Sequence, residues 1–174
     1  MNIGLALLQL KAFARQDGAL LAVVWVASFL LLAYAPQAPW SNLLMLATPA
    51  VVAWRLIRFR DGALGGVISF RRALAYSCYV FFYASLLFAV AQYLYFRFVD
   101  SGFLQRLLAD AAKTLGPVYA QQGMGEAELN VAVETIGMLS PFQLAFMFMM
   151  QNLFVGFFLS ILVAAVGRRK NQIE

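Results

Sequence analysis

The run from Gly18 to Ala35, GALLAVVWVASFLLLAYA, contains no Asp, Glu, Lys or Arg. As a helix it rises about 27 Å at about 1.5 Å per residue, close to the roughly 30 Å thickness of a bilayer's hydrocarbon core. Inside that core no water is available to backbone N–H and C=O groups, so a span must satisfy them within itself. Three further apolar stretches predict spans over 40–57, 70–96 and 141–166. Only 12% of the 174 residues are charged and 63% are hydrophobic. A soluble domain carries about 25% charged residues, so this chain cannot cover a water-facing surface. The sequence therefore predicts an all-α membrane protein, with residues 1–174 forming a single four-helix transmembrane domain.

Pro36-Gln37-Ala38-Pro39 between the first two spans is too short for anything but a reversal, which makes them an antiparallel hairpin. Ala33-Tyr34-Ala35 resembles a signal-peptide cleavage site, but Pro36 follows it and the apolar run exceeds the usual signal core. We expect a retained helix. Ten of the thirteen Lys and Arg residues lie before the first span, around the second-to-third link or in the C-terminal tail, which predicts both termini in the cytoplasm. This bias also explains the net charge of +5 without a nucleic-acid partner.

Residues 97–140 predict an extracytoplasmic helical insertion with two amphipathic helices. Asp100-Ser101-Gly102 offers N-cap residues, Leu104, Leu107, Leu108, Ala111 and Leu115 share a face, and Gly116-Pro117 is expected to close the first helix. The second is expected over Glu126–Ile136, with Leu129 and Val133 facing one way and Gly137 as its stop. Ser140-Pro141-Phe142-Gln143 is a capping box with Pro at the first helical position. The N-terminal run Ile3–Phe13 reads as an amphipathic segment along the inner leaflet.

Chemistry is sparse. There is no His, and Cys78 is the single cysteine, so we expect no catalytic residues, no metal site and no cofactor. Three constellations remain. The inner link carries Arg58, Arg60, Gly65, Gly66, Ser69, Arg71 and Arg72, a candidate site for a lipid phosphate at the third span's N-terminus. Arginines flanking a span are expected from topology alone, and that is the simpler explanation. Ser28, Thr48, Ser85, Gln151 and Asn152 fall at similar depth and form a candidate mid-membrane polar layer, for which structural hydrogen bonding is the simpler explanation. Ser77, Ala84 and Ala91 recur at seven residues, and Gly156, Ser160 and Ala164 at four, as seams for helix packing.

Gly65-Gly66-Val67-Ile68-Ser69-Phe70 with Arg72-Ala73, then Ala84-Ser85, Tyr93-Leu94-Tyr95-Phe96, Phe98-Val99-Asp100 and Phe103-Leu104, resembles the bacterial family known as domain of unknown function 4199. The resemblance covers most of the chain, including Asn152, Gly156, Ser160 and the terminal basic cluster. It implies a four-span inner-membrane protein and hints at a partner glycosyltransferase using polyprenyl-phosphate sugars. The expected function is a non-enzymatic subunit that packs with or positions another membrane protein. The alternative is a small dimeric transporter or lipid flippase. Membrane lipid and either a membrane-protein partner or a second copy are the expected partners.

Overall fold

A computed structural model describes residues 3–100, 102–121 and 126–169. Among these residues seven helices follow in order: α1 Ile3–Tyr34, α2 Trp40–Leu46, α3 Thr48–Ala63, α4 Phe70–Phe98, α5 Phe103–Gln121, α6 Glu126–Gly137 and α7 Pro141–Gly167. Among the described residues there is no strand, only an isolated antiparallel bridge between Ile68 and Arg169. Of the described helices three are long and apolar enough to cross a membrane, within α1, α4 and α7, and α2 with α3 makes a fourth if the bent pair is one span. The chain is an all-helical membrane protein.

Three expectations are corrected. The N-terminal run is not a separate surface segment: α1 continues through it, and Leu10 and Ala14 enter the core. The second apolar stretch is broken at Ala47, with a bend of 43°. Pro49 accounts for the break, because it lacks an N–H and its ring clashes with the carbonyl four residues back. It falls in the first turn of α3, where those losses cost least. Gly116-Pro117 does not close α5, which runs on to Gln121 with Pro117 inside it. Ser101, named above as a cap candidate, and Lys170 of the terminal basic cluster lie outside the described residues.

The chain divides into two compact units. The first comprises 1–89 and 149–174, and its core gathers Leu21, Trp25, Leu56, Phe59, Tyr76, Val80, Phe81 and Val163 from four helices. Helices in lipid gain nothing from hydrophobic burial against one another, so close contact at small residues holds them together. At Gly18 a Cβ would lie 2.7 Å from Tyr83 Cβ and 2.9 Å from the Val80 carbonyl oxygen, so α1 and α4 touch at backbone range there. Gly156 admits the Phe81 ring and Gly167 the Leu56 side chain in the same way.

The second unit, 90–148, is built on local signals. The Asp100 carboxylate accepts the Phe103 N–H at 2.7 Å and starts α5. Ser140 and Gln143 form the expected capping box, with the Gln143 side-chain oxygen 2.9 Å from the Ser140 N–H and the Ser140 hydroxyl 3.3 Å from the Gln143 N–H. Tyr95 and Phe103 meet edge to face, and Phe96 stacks on Phe148.

Candidate functional site

Among the described residues of the first unit the buried charge is Asp17, which is 2% exposed and sits one residue before the uncharged run of α1. Taking a carboxylate out of water costs several kcal/mol unless opposite charge and hydrogen bonds compensate it. Both are present. Arg55 of α3 donates through Nε and one Nη to Oδ1, and the Tyr76 hydroxyl of α4 donates to Oδ2. The Tyr76 ring is fully buried and stacks on Phe59 at 4.8 Å and 6°, which fixes its hydroxyl on the carboxylate. Three helices thus converge on one anion.

Beside this cluster lies a groove of about 600 Å³, lined by Phe13, Asp17, Trp54, Arg55, Arg58 and Asp61 among others. Trp54 is half-exposed and carries two guanidinium groups over its ring, Arg58 at 4.9 Å and Arg55 at 5.5 Å. The site therefore has an apolar wall, a cation-bearing aromatic and a buried carboxylate already matched with its own partners.

The inner link is held by different bonds. Gly65 and Gly66 take φ of 65° and 85°, a region closed to most side chains, and the Gly66 N–H reaches the Arg60 carbonyl at 3.0 Å to end α3. Arg60 grips Asp61 and donates to the Gly167 carbonyl at 3.0 Å. Ile68 and Arg169 exchange both backbone hydrogen bonds, pinning the end of α7 to the link. Ser69 accepts the Arg72 N–H at 3.4 Å, a weak cap on α4. Arg71 is exposed, while one Arg72 nitrogen is buried without a partner. Arg58 faces Trp54 and Arg60 faces Asp61 and Gly167, so the arginines of the candidate phosphate site serve different contacts.

The candidate polar layer resolves into pairs. Ser28 and Ser41 each donate a hydroxyl to the other's backbone carbonyl at 2.9 Å, and Trp25 Nε1 donates to the Thr48 hydroxyl at 3.0 Å. Ser85 and Ser77 are fully buried on α4 with no partner for their hydroxyls. Asn152 is half-buried and Gln151 exposed. Of the packing seams, Ala84 meets α1 at Gly18, Gly156 receives Phe81, Ser160 turns its hydroxyl to the Gly156 carbonyl at 2.7 Å, and Ala164 is fully buried. Ala91 is half-buried.

Asp17, Trp54, Tyr76 and Gly18 were not among the candidate residues. A signal existed for Asp17: Leu7, Leu8, Leu10 and Phe13 continue the apolar character upstream with no breaker, so the helix extends past the charge, and Leu10 is buried beyond it. Among the described residues no three His, Cys, Asp or Glu side chains cluster as for a metal ion.

No curated protein and no solved structure matches the chain. A family match does exist, over residues 16–169, a stretch that includes Asp17, Arg55, Tyr76, the two-glycine link and the Ile68–Arg169 bridge. The chain belongs to the family described as Protein of unknown function (DUF4199).

Proposed function

We propose that the protein is a non-enzymatic integral membrane subunit that packs with or positions another membrane protein. In this reading α2 and α3 form one bent span, giving four, and the basic flanks hold both termini in the cytoplasm of a bacterial inner membrane. The insertion 97–140 then lies outside, as the docking part of a single membrane domain. The observation that carries the reading is the surface of that insertion: Val118 and Val131 are 50% and 62% exposed on helices that are not candidate spans, and Met138 is 75% exposed in the turn after α6. Apolar side chains presented in this way suit a protein partner. The resemblance noted above suggests a glycosyltransferase acting on polyprenyl-phosphate sugars as that partner.

Native mass spectrometry after mild extraction from the source membrane tests this. A stoichiometric heteromer that is lost when Val131→Asp and Met138→Asp are combined is the expected result. A lone monomer before and after the double substitution overturns it.

One observation favours a second reading, a small transporter or flippase. Ionisable residues inside membrane helices commonly mark substrate or ion paths, and Asp17 lies against an open groove. Flux into reconstituted vesicles that Asp17→Asn abolishes would support it, and the absence of flux in the intact protein would dismiss it.

A further inference from the structure

We infer that the groove between α1 and α3 binds the anionic phosphate group of a membrane lipid, held by Arg58 and the free edge of Arg55 against Trp54. The inference is independent of the subunit reading.

Charge accounting across the groove leads to it. Two carboxylates line the cleft, and both are already matched: Asp17 by Arg55 and Tyr76, Asp61 by a two-point grip from Arg60 at 2.7 and 3.2 Å. Arg55 spends Nε and one Nη on Asp17, so its other Nη is not used on that carboxylate, and its side chain is 20% exposed. Among the described residues no ion pair engages Arg58, which is exposed with its guanidinium over Trp54. The groove is thus left with one whole guanidinium and part of a second, three residues apart and so neighbours on one helix face.

A planar guanidinium donates two parallel hydrogen bonds to phosphate oxygens, and stacking on an indole holds that plane in place. Trp and Arg together are the residues that settle at the level of lipid head groups. Phe13, Trp54 and Ile57 give the same groove an apolar wall for the glycerol and upper acyl carbons. A soluble phosphate would use the arginines and leave that wall uncovered, and the two sources can be separated by experiment.

The test is native mass spectrometry of the full chain in neutral detergent, titrated with phosphatidylglycerol, phosphatidylcholine or inorganic phosphate. The wild-type chain is expected to retain phosphatidylglycerol over phosphatidylcholine. Arg58→Gln should weaken that retention about tenfold, the loss of one charge-assisted pair of hydrogen bonds. Arg106→Gln, which removes an equal charge at an exposed position outside the groove, should leave it unchanged. Arg58 is exposed, so the variant is expected to fold, and a thermal transition matching the wild type verifies this. Inorganic phosphate failing to displace the lipid supports the head group as ligand. Displacement at millimolar phosphate overturns the lipid and leaves a free phosphate at the same arginines. Equal retention by Arg58→Gln and the wild type, or equal weakening by Arg106→Gln, overturns the site.

Discussion

The same helix, α1, is fastened at two levels by opposite means. Toward the α1–α2 turn the bonds are neutral: Ser28 and Ser41 of α2 exchange hydroxyl donors, and Trp25 donates to Thr48 at the first residue of α3. Further from that turn the bond is ionic, with Asp17 gripped by Arg55 in the body of α3 and by Tyr76 of α4. The neutral pairs join residues 13 and 23 positions apart and close a hairpin between sequence neighbours. The ionic cluster spans 38 and 59 positions and ties three helices together. The difference teaches that the neutral fastening is cheap to make and cheap to lose. A charge buried in the helix core is tolerable only while all of its partners stay in place.

Removing the anion alone is therefore the strongest way to break the comparison. Asp17→Leu leaves Arg55 and the Tyr76 hydroxyl without their acceptor and should cost about 3–5 kcal/mol, read from thermal unfolding in detergent. Adding Arg55→Met should recover much of the loss, because an apolar pair replaces an ion pair at little net cost. Wild-type stability in the single variant would make the ionic fastening no different from the neutral one.

Close packing supports both levels, and glycines sort it. Gly18→Val would drive a branched side chain into the Val80 carbonyl and Tyr83 Cβ, which are backbone-anchored and cannot give way. A loss of about 1–3 kcal/mol is expected in the same unfolding measurement. Gly62 in α3 has nothing within 4 Å of an added Cβ, so Gly62→Ala should raise stability by about 0.5–1 kcal/mol through reduced chain entropy. Equal effects at the two sites would show that α1 and α4 are not in backbone contact.

These particulars show where sequence reasoning had purchase. Pro36 and Pro39 announced the hairpin, the Ser140 capping box announced the start of α7, and Asp100 announced α5, because each signal acts within four residues of itself. The family was likewise legible from the motifs between Gly65 and Leu104. Asp17 was not. It stands at the edge of an uncharged run, where a hydropathy reading places it at the surface, and its partners lie on helices whose register no local pattern specifies. The bend at Ala47 was half legible: Pro49 was visible, but in a membrane helix Pro is often accommodated without a break. Arg58 and Arg60 looked alike in sequence, and only packing gave one an indole and the other a carboxylate.

The second unit offers a comparison of another kind, since local caps rather than distant partners begin α5 and α7 there. Asp100→Ala should remove the acceptor for the Phe103 N–H and lower stability by about 1 kcal/mol. The loss should register as faster hydrogen exchange confined to the first turns of α5. Acceleration that reached α1 or α3 would mean the two units unfold together.

The smallest effect belongs to the neutral fastening, and it is the sharpest test of the contrast. Interhelical hydrogen bonds in membrane proteins average about 0.6 kcal/mol, because a separated helix in lipid finds other partners for its hydroxyls. Ser28 and Ser41 each donate to the other's backbone carbonyl, so either single alanine leaves one of the two bonds standing. A double-mutant cycle of Ser28→Ala and Ser41→Ala should therefore give near-additive losses with a coupling below about 0.5 kcal/mol. A coupling as large as that between Asp17 and Arg55 would mean that both levels of α1 respond as all-or-none units. The distinction between a neutral and an ionic fastening would then be one of chemistry alone, with no difference in cooperativity.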